Sequence, residues 1–192
     1  MIKTLLRRIG LGLGLAWVCA AAIGADVLTV AELQRLLQSS PRSAVAYQEL
    51  RESPWLAAPM TSRGIMHSTP QSLEKRVETP RQETWRLLPD RVEWVGAGAT
   101  GRKQIMFSDA PALAMLSDVM RRVVAGDIVA LERDFKIELR GDERAWTAQL
   151  QPRKPEIARQ LESVELQGTG ARLQVIIVAE RQGERTTTRL QP

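Results

Sequence analysis

From Val30 to Gln38 the apolar residues Leu33, Leu36 and Leu37 recur at helical spacing, and Ser39, Ser40 and Pro41 stop the pattern. The spacing predicts a short amphipathic helix. The period then changes to two. Stretches with alternating apolar and polar positions follow one another between turn residues at 44–51, 63–68, 73–78, 83–88, 91–95 and 102–107. Within them, Trp85 and Leu87 alternate with Thr84 and Arg86. Pro89 and Asp90 turn the chain, and Val92 and Trp94 alternate with Arg91 and Glu93. This predicts a hairpin with one apolar face.

A second helical pattern begins at Pro111 and carries Leu113, Met115, Leu116, Val119, Met120, Val123 and Val124 up to Gly126. Ser108 or Asp109 is the expected N-cap, Pro111 the first helical residue and Gly126 the stop. Alternation resumes with Phe135, Ile137 and Leu139. Gly141, Asp142 and Glu143 turn the chain, and Trp146, Ala148 and Leu150 return. Further strands are expected at 161–166, 173–180 and 186–190. Strands joined by tight turns must run antiparallel. Roughly ten strands with two helices predict a mainly β (α+β) domain in which one large antiparallel sheet curls around the helices. Such an interior is either filled by side chains or left as an apolar cavity, and periodicity alone does not choose.

Residues 1–25 change the picture in a different way. A basic head with Lys3, Arg7 and Arg8 precedes an apolar run from Ile9 to Ile23 and small residues ending at Ala25, the layout of a signal peptide. The run is shorter than the roughly 20 residues a spanning helix needs. The expected mature chain is therefore a single exported domain, 26–192. Cys19 is the only cysteine, and Val18 and Ala16 do not fit a lipid-attachment site, so the mature domain has no thiol for a disulfide or a nucleophile. Loss of Lys3, Arg7 and Arg8 with the leader lowers the formal charge from +5 to +2, which removes the electrostatic argument for a nucleic-acid partner.

Signals for chemistry are sparse. The run Gly96-Ala97-Gly98-Ala99-Thr100-Gly101 matches a dinucleotide fingerprint, but the residues after it read as another strand. A phosphate loop requires a helix there, so a hairpin loop is expected. His67 is the sole histidine and lacks a second imidazole or thiol for zinc or triad chemistry. Asp127, Glu132 and Asp134 lie beside Arg133 with no apolar shell to raise a carboxyl pKa, and Ser108 and Ser117 have no visible base. No catalytic residue, metal site or cofactor is expected. What stands out is the apolar inventory of the mature chain: Trp55, Trp85, Trp94 and Trp146, with Met60, Met66, Met106, Met115 and Met120. Thioethers repack easily and indoles offer wide contact areas, which suits either a core or a pocket for variable acyl chains.

The order of these pieces resembles the LolA-type periplasmic lipoprotein carriers over most of the mature chain. The residues that carry the likeness are the opening helix with segment 44–51, Gly64, and the run Thr69-Pro70-Gln71-Ser72-Leu73 leading to Val77 and Pro80. The Pro89-Asp90 hairpin with Trp94, the Pro111 helix, Leu131-Glu132-Arg133-Asp134-Phe135 and the final strand pair around Gly183 complete it. The resemblance implies an incomplete antiparallel barrel closed by helices, with an apolar cavity for the acyl chains of a lipoprotein or glycolipid crossing the periplasm. It also implies a monomer that meets an inner-membrane release complex and an outer-membrane acceptor. Thr69 stands where such carriers often have an arginine that latches the lid, and they continue beyond the equivalent of Pro192 with a further strand and tail. These departures leave the cargo open between a lipoprotein, including a single dedicated one, and another amphiphile such as a glycolipid or polyene lipid.

On this reading acyl chains lie between the sheet and the helix from Pro111 to Ala125. Strand alternation and helix face select Leu73, Trp85, Trp94, Met106, Met115, Met120, Trp146, Val175 and Ile177 as lining residues. The rival expectations are a lipid-sensing or assembly module that uses the same fold to grip a partner, and an enzyme acting on acyl groups.

Overall fold

The computed structural model describes residues 28–39, 44–69, 71–97 and 101–191. The signal-peptide expectation, Pro70 and the middle of the glycine-rich run lie outside the described residues. Helix α1 (Val30–Gln38) is followed by strands β1 (Val45–Glu52), β2 (Met60–Ser68), β3 (Leu73–Thr79), β4 (Glu83–Leu87), β5 (Arg91–Gly96) and β6 (Arg102–Met106). Helix α2 (Pro111–Ala125) and a 3-10 turn (Val129–Arg133) connect these to β7 (Phe135–Gly141) and β8 (Trp146–Pro152). A short helix α3 (Pro155–Ala158) precedes β9 (Leu161–Thr169), β10 (Arg172–Glu180) and β11 (Arg185–Gln191). Both long helical spans agree with the sequence periodicity. The 3-10 turn and α3 have too few residues for a period to show.

The eleven strands among the described residues form one antiparallel sheet in the order β6-β5-β4-β3-β2-β1-β11-β10-β9-β8-β7. Two meanders, β1 to β6 and β7 to β11, are thus welded by a single long-range pair, β1 with β11, running from Ala46 opposite Gln191 to Glu52 opposite Arg185. The edge strands β6 and β7 do not pair, so the sheet stays open, and α2 links those two edges.

Residues paired directly across antiparallel strands share a face. Following the register from Tyr47 through Gly64, Val77 and Glu83, and from Leu190 through Thr188 to Ile176, Leu166, Ala148 and Leu139, defines one face. That face carries the core, and the helices cover part of it. Leu33 of α1 and Val119 and Val123 of α2 pack with Ile128, Leu131, Phe135, Trp146, Leu150, Val164, Leu166 and Ile176. A smaller cluster of Tyr47, Met66 and Leu73 adjoins it through Met120, Val124 and Leu190. The β7–β11 half of the face is therefore filled from α1 and α2, while much of the β4–β6 side lies outside these two clusters.

Local devices fix this arrangement. Thr29 caps α1 with Glu32 as a reciprocal capping box. At α2 the expectation fails. Ala110 is the N-cap with no side-chain bond, and Ser108 donates to Asp109 instead, 3.0 Å away. Pro111 needs no capped amide at its own position, which lets the helix start without that device. Gly126, at φ 70°, ends it in the left-handed conformation that a Cβ disfavours. At the ends of the glycine-rich run Gly96 donates to the Gly101 carbonyl at 2.7 Å, and strand β6 rather than a helix follows.

Candidate functional site

Strands β4, β5 and β6 each send alternate side chains to the helix-covered face. Register pairs Leu87 with Val92 and Val92 with Ile105, and pairs Trp85 with Trp94 and Trp94 with Lys103. These two neighbouring rows, with Glu83 at the start of β4, line an open cleft of about 290 Å³ formed by Glu83, Trp85, Val92, Trp94, Lys103 and Ile105, with the β6 side exposed. Indole and aliphatic walls with a few polar groups are the chemistry of a site for an apolar ligand, although the volume is just below that of ordinary ligand pockets.

The two indoles are held by one carboxylate. Trp85 Nε1 donates to Glu83 Oε1 at 3.0 Å and Trp94 Nε1 donates to Glu83 Oε2 at 2.9 Å. Their rings lie 6.3 Å apart, tilted by 56°, an attractive aromatic geometry. Lys103 Nζ sits 5.7 Å from the Trp94 ring centre, a cation over a π face. The cleft thus has a greasy floor of Val92 and Ile105, two fixed aromatic walls, and an ammonium and a carboxylate in its lining.

Glu83 is a hinge of this geometry that its sequence pattern does not flag. Glu83→Gln leaves one indole N–H facing an amide that donates rather than accepts. The expected result is a changed near-ultraviolet circular dichroism of the tryptophan pair and a loss of about 1 kcal/mol in urea unfolding.

Across β3 the face turns polar. Lys75 Nζ bonds Glu49 Oε1 at 2.6 Å, Thr188 Oγ1 donates to Glu49 Oε2 at 3.0 Å, and Lys75 lies 5.1 Å from the Tyr47 ring centre. Tyr47 is only 2 % exposed, and its hydroxyl has no well-aligned hydrogen-bond partner. Burial first, and the Glu49 carboxylate second, push its pKa up, and a weak contact with Ser62 offsets part of this. The phenol is therefore neutral.

The expected lining residues scatter. Trp85 and Trp94 meet in the cleft. Leu73 is buried in the smaller cluster, Trp146 is in the main core, and Met115 and Met120 pack against it from α2. Met106, Val175 and Ile177 must be corrected, because they point to the opposite face, paired with Arg91, Arg189 and Thr187. A bulge between Leu173 and Val175 inverts the alternation of β10, so Leu173 faces inward while Val175 and Ile177 face out. The Trp94–Lys103 register does the same to Met106 by assigning the inner positions of β6 to Lys103 and Ile105. The position of the space differs too. Val119 and Val123 of α2 are buried against the core, and the cleft lies to one side, over β4–β6. Sequence reading missed Val92, Ile105, Glu83 and Lys103, although Val92 and Glu83 are in phase with the tryptophans of their own strands.

The residues weighed for catalysis do not converge. His67 is exposed on the outer face opposite Glu74. Ser117 is buried in α2. Asp127 pairs with Arg122 at 2.9 Å. The hydrogen bond from Arg133 holds the Asp134 carboxyl below its usual pKa, with Lys154 adding to the effect. Among the described residues no group of three His, Cys, Asp or Glu side chains is placed to hold a metal, and no helix is long and apolar enough to cross a membrane.

An open antiparallel sheet with a helix-covered face and an apolar cleft is the frame in which the family comparison is decisive. Residues 19–191 match the family described as "Outer membrane lipoprotein carrier protein LolA-like". The chain belongs to the LolA-like family. Similar solved structures include a LolA superfamily protein from Nitrosomonas europaea, at 11% identity and TM-score 0.42, covering 85% of this chain and 90% of that one. Another is a DUF1329 family protein from Desulfovibrio piger, at 9% identity and TM-score 0.45, covering 84% and 88% respectively. None of the curated proteins compared matches the chain. LolA-like membership fits the fold seen here and a lipoprotein-binding or carrier-type role in general.

Proposed function

We propose that this LolA-like chain is a periplasmic carrier that shelters the acyl chains of a lipoprotein or related amphiphile and delivers them toward the outer membrane. It would be exported by a leader ending at Ala25 and would act without catalysis. The observation that carries the reading is the cleft itself: Trp85, Trp94, Val92 and Ile105 present apolar walls on a face whose other half is already filled. Each methylene withdrawn from water there is worth about 0.8 kcal/mol, so a chain of ordinary length needs such shelter to leave one membrane for another.

The cleft holds only part of a long chain. Its row of Val92, Leu87 and Leu73 runs directly into the Tyr47, Met66 and Leu73 cluster under α2. An acyl chain that enters at β6 would extend along this row by displacing Met120 and Val124, side chains that join the two clusters. Methionine adapts to such repacking at low cost.

The test is mass spectrometry of lipids extracted from protein purified from the periplasm without detergent, for wild type and Ile105→Glu. Wild type is expected to retain acyl chains, and a carboxylate in the apolar lining of the cleft to reduce them about tenfold or more. Protein free of acyl chains, or an Ile105→Glu variant that retains them in full, sinks the assignment. A partner protein co-purifying in place of lipid would favour the lipid-sensing or assembly module.

A further inference from the structure

Strand β6 ends the sheet with a bare edge. Its residues are all exposed, its register with β5 is regular, and it holds neither a proline nor a bulge, devices that block a further strand. The ladder shows which of its backbone groups are free. Gly96 N–H donates to the Gly101 carbonyl at one end, and Phe107 N–H donates to the Asp90 carbonyl at 2.9 Å at the other. Hydrogen-bonded pairs alternate along an antiparallel ladder, so Lys103 and Ile105 turn their N–H and C=O groups toward Trp94 and Val92 of β5. Arg102, Gln104 and Met106 turn theirs outward. The Met106 carbonyl accepts from Asp109 N–H at 3.1 Å, and the other outward groups have no partner among the described residues.

The side chains sort in the same way. Lys103 and Ile105 line the cleft, and Arg102, Gln104 and Met106 lie on the opposite face. A strand added to β6 would therefore satisfy the bare edge and wall the cleft along its open side. What selects a second copy of this chain is that β6 is complementary to itself. A two-fold axis at Gln104 sets Gln104 opposite the partner's Gln104, Arg102 opposite the partner's Met106 and Lys103 opposite the partner's Ile105. The two Gln104 residues exchange hydrogen bonds, each Met106 N–H meets an Arg102 carbonyl, and each Arg102 N–H meets the second lone pair of a Met106 carbonyl. No cation directly faces a cation, and the Lys103 stem lies over the partner's Ile105. Pairing β6 with β7 of another copy would instead set Arg102 on the face that carries Lys136 and Arg140, and this heterologous contact would not close.

We propose that two copies of this chain pair through β6, and that each supplies Lys103 and Ile105 to the other's cleft. This departs from the monomer that the family resemblance implies. The inner row of Leu73, Leu87, Val92 and Ile105 then continues through the partner's Lys103 to the partner's Trp94. Two clefts, each just below the volume of an ordinary ligand pocket, become one space about twice as large. The pairing stands without the carrier reading; the joined cleft as an acyl site rests on it.

A strand pair this short buries less than a standard interface, so a dimer in the micromolar range is expected. Analytical ultracentrifugation of protein purified from the periplasm, over about 1 to 200 μM, is expected to show it dissociating on dilution. Added salt is expected to strengthen it, because Lys103 lies diagonally across from the partner's Lys103. Gln104→Pro removes an N–H that points away from β5, so it is expected to stay monomeric with an unchanged unfolding midpoint. Gln104→Cys is expected to form a disulfide-linked dimer under mild oxidation, its two Cα atoms being about 5.5 Å apart, whereas wild type and Arg102→Cys do not cross-link. The pairing is overturned by a wild type that stays monomeric, by Gln104→Pro dimerising as wild type does, or by Arg102→Cys cross-linking as readily as Gln104→Cys. A monomer that instead takes up a foreign extended peptide along β6 overturns it too. Gln104→Pro is also expected to retain about tenfold less acyl chain, and full retention overturns the shared cleft. A wild-type dimer without acyl chains supports the pairing and sinks the carrier reading.

Discussion

Gly64→Val is expected to unfold the β2–β3 pairing and lower the stability of the whole chain by about 3 kcal/mol or more. A Cβ on Gly64 would stand 1.9 Å from the Arg76 carbonyl oxygen and 3.0 Å from the Val77 Cα. Both are backbone atoms, so no rotation of a side chain relieves the clash. The register shift between Arg63 and Gly64 draws β3 in at this point, and Tyr47 lies directly opposite on β1. Alanine suffices to create the overlap; valine adds bulk beneath the buried phenol. Urea unfolding followed by far-ultraviolet circular dichroism checks the prediction. Arg63→Ala, one residue away and exposed, is expected to stay within about 0.5 kcal/mol of wild type.

Trp146→Ala is expected to lose about 3–5 kcal/mol in the same assay, a large share of the stability of a domain this size. Trp146 is 3% exposed and packs in the main core. Its ring occupies the space over Gly168, where a Cβ would come within 2.2 Å of Cζ2, and its Nε1 donates to the Gly170 carbonyl at 3.0 Å. One side chain therefore fills the β8–β9 face and ties it to the β9–β10 turn. Trp146→Phe separates the contributions. It keeps most of the apolar bulk and removes the hydrogen bond, so its loss is expected to be about 1–2 kcal/mol. Equal losses for the two variants would show that the hydrogen bond, not the packing, dominates.

Alternation and turn residues made the strands readable because a half-covered sheet requires a period of two, and α2 declared itself by its spacing together with Pro111 and Gly126. The errors have equally local causes. A bulge in β10 shifts the phase by one residue, and no composition signal marks it, so Val175 and Ile177 were placed on the wrong face. On β6, Met106 and Ile105 are both apolar, and only the pairing of Trp94 with Lys103 decides which of them faces inward. The shared acceptor for Trp85 and Trp94 joins two strands through a glutamate that, as sequence, reads as an ordinary polar position.

By itself the sequence determined the strands and the two longer helices, and the strands' antiparallel order within each meander. Those follow from local periodicity and turn chemistry. Only the tertiary structure decided that β1 closes on β11, which face each strand buries, and that the open space lies over β4–β6 rather than under α2. Strand register and helix docking are set by contacts between residues far apart in the chain, and no local pattern encodes them.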